Sequence, residues 1–413
     1  MSGSAGKVFA VTLGILTAIG GFVDIGDLVT NAVVGSRFGL SLAWVVVVGV
    51  GGIAVFAHMS GKVTAISGRA TFEVIRERLG PRAALANLVG SMAMTLLTLT
   101  AEIGGVALAL QLLSGVVPVL VVLPVALVLW MALWRVTFSW LENVAGLLGL
   151  LLLVFVVALL SLGPDWSALA GQVVQDGPDT GESGLTYAYY AVALFGAAMT
   201  PYEVFFFSSG AAEERWTSQD LWRSRLNVLV GFPLGGLLSL AIAGCAAVVL
   251  LPQGISVTSL SQVVAPVGVA LGTAGVVVVA VGVLAATAGA ALETALSCGY
   301  SVAQFAGWPW GKRVRPARAP QFHLVVLGAI VIGSLVLLTG VDPVMVTEFS
   351  VVFSAVALPL TYFPVLVVAN DPDYVGEHTN GAVLNGVALA YLVIILAAAL
   401  AAVPLMVLTR MGA

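Results

Sequence analysis

Gly20-Gly21-Phe22-Val23-Asp24-Ile25-Gly26-Asp27 places three glycines and two carboxylic acids inside an apolar run that covers about residues 8–34. Glycine and aspartate are poor helix formers, and an apolar run of about 20 residues is what one bilayer crossing needs. The stretch therefore reads as a membrane helix broken at mid-depth. A second break lies five spans further on, at Met199-Thr200-Pro201-Tyr202-Glu203. Proline has no amide hydrogen to donate and its ring clashes with the preceding turn, so the helix opens there. Two interrupted spans five apart point to a transporter built from inverted repeats, with its site where unwound carbonyls and half-helix ends converge.

Outward from these breaks, the whole chain has the composition of a membrane protein. Its 413 residues are 60% hydrophobic and 9% charged, against roughly a quarter charged in an ordinary soluble domain. A water-soluble fold is excluded. Eleven apolar spans are expected at about 8–34, 39–60, 84–114, 117–134, 141–162, 185–210, 227–251, 267–306, 322–340, 344–369 and 382–409. The expected organisation is a cytoplasmic N-terminus (1–7), a first repeat of spans 1–5 (8–162) and an extracytoplasmic loop (163–184). A second repeat of spans 6–10 (185–369), a cytoplasmic loop (370–381) and the eleventh span with the C-terminus (382–413) follow. The acids in the first span and the lack of a small-residue cleavage pattern argue against a signal peptide.

Orientation follows from the basic residues. With a cytoplasmic N-terminus, fourteen of the 16 lysines and arginines, from Lys7 to the Lys312–Arg318 cluster, fall inside, and only Arg37 and Arg410 fall outside. This asymmetry supports both the orientation and the span count. It predicts a multi-pass protein of the cytoplasmic membrane with an extracytoplasmic C-terminus. Trp130, Trp134, Trp140, Trp308 and Trp310 sit near span ends and read as interfacial anchors. His58, His323 and His378 read as interfacial side chains, and Cys245 and Cys298 as small packed side chains. Basic residues in short loops without interleaved aromatics give no support for nucleic-acid binding.

The informative charges lie inside the spans: Asp24, Asp27, Glu102, Glu203, Glu293 and Glu348, with no lysine or arginine at matching depth. A carboxylate near the bilayer centre costs about 2.5–3.5 kcal/mol even on the insertion scale. Such acids must face a cavity, be protonated or meet a cation. The halves also correspond. Asp24–Asp27 and Thr200–Glu203 each place a carboxylate at the exit of a break, and Glu102 in the third span answers Glu293 in the eighth.

These motifs resemble those of the Nramp divalent-metal transporters. Asp24-Ile25-Gly26-Asp27 is similar to the family's first-helix Asp-Pro-Gly-Asn signature, and Gly35-Ser36-Arg37-Phe38-Gly39 to the loop after it. Thr100-Ala101-Glu102-Ile103-Gly104-Gly105 resembles the third-helix Ala-Glu motif. Ala197-Ala198-Met199-Thr200-Pro201-Tyr202 falls where the family has Ala-x-x-Met-Pro-His, and Leu358-Pro359 matches a tenth-helix pair. The resemblance implies an all-α LeuT-type fold of two inverted five-helix repeats plus an eleventh helix, with helices 1 and 6 unwound, and metal transport.

Departures from the family pattern give the expected chemistry a direction. Asp24 falls on the metal-binding aspartate, but Asp27 replaces an asparagine and Thr200 replaces the methionine thioether. Met199, one residue early, reads as packing. Tyr202 and Phe207 stand where the family has histidines, Leu99 replaces a third-helix aspartate, and the ninth span lacks an arginine. Losing sulfur and gaining oxygen moves a site toward hard cations. Magnesium, often held by one or two carboxylates through retained water, fits best, then manganese, then calcium. The missing imidazoles remove the usual group that titrates near neutrality. The pattern is similar to the Nramp-related magnesium transporters, a branch without proton coupling.

The expectation is thus a secondary transporter of a hard divalent cation working by alternating access, and not an enzyme. Asp24 and Asp27 would be principal metal ligands, with Thr200, Glu203 and the freed carbonyl of Ala197 adding oxygens. Tyr202, Glu102 and Glu293 would gate or relay. Three acids against two positive charges imply that one is protonated or faces away. The ion is cargo, so no resident cofactor is expected, and the expected partners are that ion and the bilayer, with no obligatory protein partner. The alternative is a sodium- or proton-coupled carrier of a small solute on the same fold. An intramembrane aspartyl protease is disfavoured, because Asp24 and Asp27 share one helix with no partner aspartate in another span.

Overall fold

The computed structural model describes residues 23–136, 144, 146–174 and 181–412, and its described residues form helices and no strand. Gly20, Gly21 and Phe22, the first half of span 1, Trp140, Asp176 and Asp179 lie outside the described residues.

The helices, in chain order, are α1 (Ile25–Phe38), α2 (Ala43–Ser67), α3 (Thr71–Ser114), α4 (Pro118–Arg135), α5 (Val154–Leu162) and α6 (Trp166–Val174). The second half holds α7 (Gly184–Ala198), α8 (Pro201–Glu213), α9 (Phe232–Val249), α10 (Leu260–Ala306), α11 (Pro320–Leu338), α12 (Pro343–Val368) and α13 (Ala382–Leu408). Among the described residues nine segments are long and apolar enough to cross a membrane, α7 and α8 counting together. Gly146–Leu162 with Trp166–Val174, bent by 113°, makes a tenth. The bend puts a helix inside the stretch expected as a plain loop at 163–184.

Burial sorts the helices into centre and rim. The α7–α8 span is 83% buried inside the protein, whereas α4 and α13 are 22% and 17% buried. The rim helices turn Leu120, Leu123, Val393 and Leu400 outward, the arrangement expected where lipid is the solvent. Cys245 and Cys298 are free and buried, as packing residues.

Boundaries shift for identifiable reasons. Helix α2 continues to Ser67, past the Ser60-Gly61-Lys62 sequence that reads as its end, and Gly68 closes it in the left-handed conformation (φ 69°). Lys62 is tolerated because its ammonium is spent: it donates to the carbonyls of Ala369 (3.3 Å) and His378 (2.7 Å) and to Asn380. The clasp ties α2 to the segment joining α12 and α13.

The third and eighth spans carry the clearest mark of the repeat. Helix α3 is broken at Gly80 (φ 82°, ψ 166°) and α10 at Gly272 (φ 67°, ψ −161°), conformations that suit glycine alone. In each case a short helix precedes the break and a span, 81–114 or 273–306, follows it. Glu102 lies 22 residues past Gly80 and Glu293 21 residues past Gly272. The correspondence between these acids, faint in the sequence, is thus one of position along equivalent helices, and α3 and α10 pack against each other.

Candidate functional site

Asp24 starts α1. Its backbone is extended (φ −89°, ψ −179°), and its Oδ1 accepts the amide hydrogen of Asp27 at 2.8 Å, an N-cap. The next free amide, that of Ile25, donates to Glu102 Oε1 at 3.1 Å, so α3 supplies the second cap. Two carboxylates therefore meet the positive end of the half-helix, where its dipole favours negative charge.

The sixth-span break is equally local. Met199 (φ −118°, ψ 55°) and Thr200 (φ −61°, ψ 123°) leave the helical conformation, and Pro201 begins α8. The carbonyl of Ala197 would normally accept from the residue four further on. That residue is Pro201, which has no N–H, so the break frees this carbonyl. Thr200 Oγ1 donates to Glu203 Oε2 at 3.3 Å. The Met199 side chain is fully buried and packs against α2: a Cβ placed on Gly52 would lie 2.6 Å from its sulfur. Its sulfur is thus committed to packing, as the one-residue offset predicts.

Acids from four spans converge on the breaks. The charged groups felt by Glu102, Tyr202 and Glu203 are Asp24, Glu102, Glu203 and Glu293, all acidic. Asp24, Glu102, Tyr202 and Glu203 are at least 95% buried. Glu102 Oε2 and the Tyr202 and Tyr362 hydroxyls are buried without a hydrogen-bond partner among the described residues. Tyr362 on α12 feels the charge of Glu203 and is a site residue that the sequence reading missed. A buried hydroxyl one turn past Leu358-Pro359 was its available signal. Among the described residues no three His, Cys, Asp or Glu side chains close up as a ready-made metal cluster.

Two expected placements differ. Asp27 is turned to α9: its Oδ1 accepts from Asn31 Nδ2 at 2.8 Å and its Oδ2 from the Ser239 hydroxyl. It faces away from the break, one of the two outcomes that charge counting allowed. Ser239 lies in an apolar span whose sequence carried no signal for it. Replacing Ser239 with alanine leaves a buried carboxylate short of a donor, at a cost of about 1.5–3 kcal/mol. The expected result is a lower melting temperature in detergent with metal affinity kept, read by thermal unfolding and calorimetric titration. Glu348, expected with the central acids, instead lies half-buried six residues into α12, near the Arg37 end of the bundle.

With this geometry in view, the family follows from comparison. A family model described as natural resistance-associated macrophage protein-like matches residues 14–404. The chain belongs to the Nramp family. Curated relatives include the divalent metal cation transporter MntH of Yersinia enterocolitica, 29% identical over 235 residues (55% of this chain, 56% of the relative). MntH of Verminephrobacter eiseniae is 30% identical over 237 residues (55% and 53%). The chain thus spans about half the length of the curated Nramp relatives it matches. Among solved structures, a histidine-to-alanine mutant of the Eremococcus coleocola manganese transporter superposes over 100% of this chain and 96% of its own, with TM-score 0.73 and 17% identity. Mhp1, a nucleobase-cation-symport-1 family transporter, covers 95% and 91% with TM-score 0.63 and 17% identity. These likenesses establish the LeuT-type fold of this Nramp chain.

Proposed function

We propose that this Nramp protein is a secondary transporter of a hard divalent cation, magnesium first and manganese next, working by alternating access without proton coupling. One observation carries the reading: among the described residues, the charged groups acting on Glu102, Tyr202 and Glu203 at the two broken helices are Asp24, Glu102, Glu203 and Glu293, all acidic. Buried acids such as Asp24, Glu102 and Glu203, gathered with further acids, call for a cation. The unpartnered oxygens of Glu102, Tyr202 and Tyr362 are groups that an ion and its waters would satisfy.

Asp24 is the principal ligand, with Glu203, Thr200 and the Ala197 carbonyl adding oxygens. Asp27, held by Asn31 and Ser239, contributes charge from behind. Glu102, Glu293 and Tyr202 pass the ion along. The packed Met199 thioether leaves an all-oxygen donor set, which favours hard cations over softer transition metals. The relatives' printed names specify divalent metal and manganese, so the divalent class is inherited and the preference for magnesium is this chain's own. The ion is cargo, and the protein sits in the cytoplasmic membrane with the Lys62 end inward and the C-terminus outward. The rival reading, a sodium- or proton-coupled carrier of a small solute such as an amino acid or inorganic anion, needs free half-helix amides for the anionic group of its substrate, and Asp24 and Glu102 already occupy those at the start of α1.

Proteoliposome flux tests this. Magnesium and manganese uptake is expected to exceed that of an Asp24→Ala control and to be indifferent to an imposed pH gradient. A flux equal to the control overturns the transport reading. A flux that follows the proton gradient overturns the uncoupled mechanism.

A further inference from the structure

A chamber separate from the helix breaks lies between α1, α7 and α12, and Thr30, Tyr189, Glu348 and Val351 are among its lining residues. Thr30 and Tyr189 are 5% and 2% exposed, yet neither hydroxyl forms a hydrogen bond with another described residue. Tyr189 is within charge range of Glu348. Three oxygen-bearing side chains from three spans therefore line one small pocket, two of them on buried residues and without a hydrogen bond to another described residue.

The charged groups around Glu348 are Asp342 and Arg37. Asp342 caps α12 through the amide of Val344. Arg37 is spent on other acceptors: Glu182 at 2.6 Å, the Tyr190 hydroxyl at 2.9 Å and the Gly412 carbonyl. Glu348 thus has no hydrogen-bonded cationic partner among the described residues. Val351 is three residues along α12 from Glu348 and also meets α1, where a Cβ on Gly26 would come 2.8 Å from its Cγ1. Gly26 is two residues from Asp24. An apolar side chain therefore stands between the chamber and the first of the central acids.

We propose that this chamber is a second divalent-cation site, a staging point on the Arg37 side of the pathway. Glu348 supplies the carboxylate, Thr30 and Tyr189 supply hydroxyl oxygens, and Val351 is the wall an ion passes to reach Asp24. The assignment rests on the transport reading above. A lone carboxylate with two neutral oxygens is a weak hard-cation site, and weak binding is what a site that must release its ion inward requires.

Manganese is the probe. Anomalous diffraction from manganese-soaked crystals of Asp24→Asn is expected to show a peak beside Glu348, which Glu348→Gln removes. In proteoliposomes Glu348→Gln is expected to raise the KM for manganese about five- to tenfold while keeping most of the maximal rate, and Glu348→Asp to recover part of the change. The absence of a peak together with an unchanged KM overturns the staging site. If Asp24→Asn retains full flux, the central reading fails, and the anomalous peak beside Glu348 still decides the chamber by itself. Size-exclusion profiles matching wild type show that each variant is folded.

Discussion

Asp24→Asn is expected to remove divalent-cation binding while leaving the helix that Asp24 starts intact. Asparagine caps a helix about as well as aspartate, so its side-chain oxygen still accepts the Asp27 amide that the carboxylate holds at 2.8 Å. The negative charge facing the break is what disappears. Affinity for magnesium or manganese should fall at least tenfold, about 1.4 kcal/mol, in a calorimetric titration. Melting in detergent should be no lower than wild type, because one of several mutually repelling acids has been neutralised. Asp24→Ala should lose the ion and, in addition, about 1 kcal/mol of stability through the missing cap. The pair separates charge from capping. An Asp24→Asn protein with wild-type affinity would show that the ion is held elsewhere.

The second large effect is expected at Gly35→Ala. Helices α1 and α9 approach so closely that a Cβ on Gly35 would lie 2.1 Å from the carbonyl oxygen of Ala243, and 2.8 Å from that residue's carbonyl carbon and Cα. The Cβ is fixed by its own backbone and meets only backbone atoms of Ala243, so no rotamer change relieves the clash and the helices must part. Overpacking of this kind costs about 1–3 kcal/mol and occasionally more. Asp27, Asn31 and Gly35 follow one another at four-residue intervals on α1, as Ser239 and Ala243 do on α9. Parting the helices at Gly35 therefore also strains the Asp27–Ser239 hydrogen bond. A melting temperature several degrees below wild type is expected, with a larger loss than in Ser239→Ala. Equal stability of Gly35→Ala and wild type would contradict the close approach.

How much of this was legible in the sequence depends on range. Breaks are local events. A proline without an amide and a cluster of glycine and aspartate announce themselves, and the α7–α8 interruption and the start of α1 fall where those residues predict. Spans are nearly as local, because about 20 apolar residues suffice, although Lys62 hid the end of α2 until its three acceptors were known. Direction was not legible. That Asp27 faces α9 and Asp24 faces the break depends on Ser239, more than two hundred residues away, and nothing in an apolar span marks that serine as a partner. Depth was legible only where a reference point existed. Glu348 read as one more buried acid, and its true position follows from the start of α12 at Pro343. The short helix before Gly80 escaped notice because its mixed polar sequence looks like a loop, and the one before Gly272 because its apolar end merges with the eighth span.

Glu102 and Glu293 lie at almost equal distances past Gly80 and Gly272 on the equivalent helices α3 and α10, so the internal repeat extends to the charge of the candidate site. On the transport reading proposed above, an ion held at the breaks would have beside it one glutamate from each half of the chain. If the protein works as proposed, that two-fold arrangement of charge favours neither half, and the sign of net movement would be set by the concentration difference and the membrane potential.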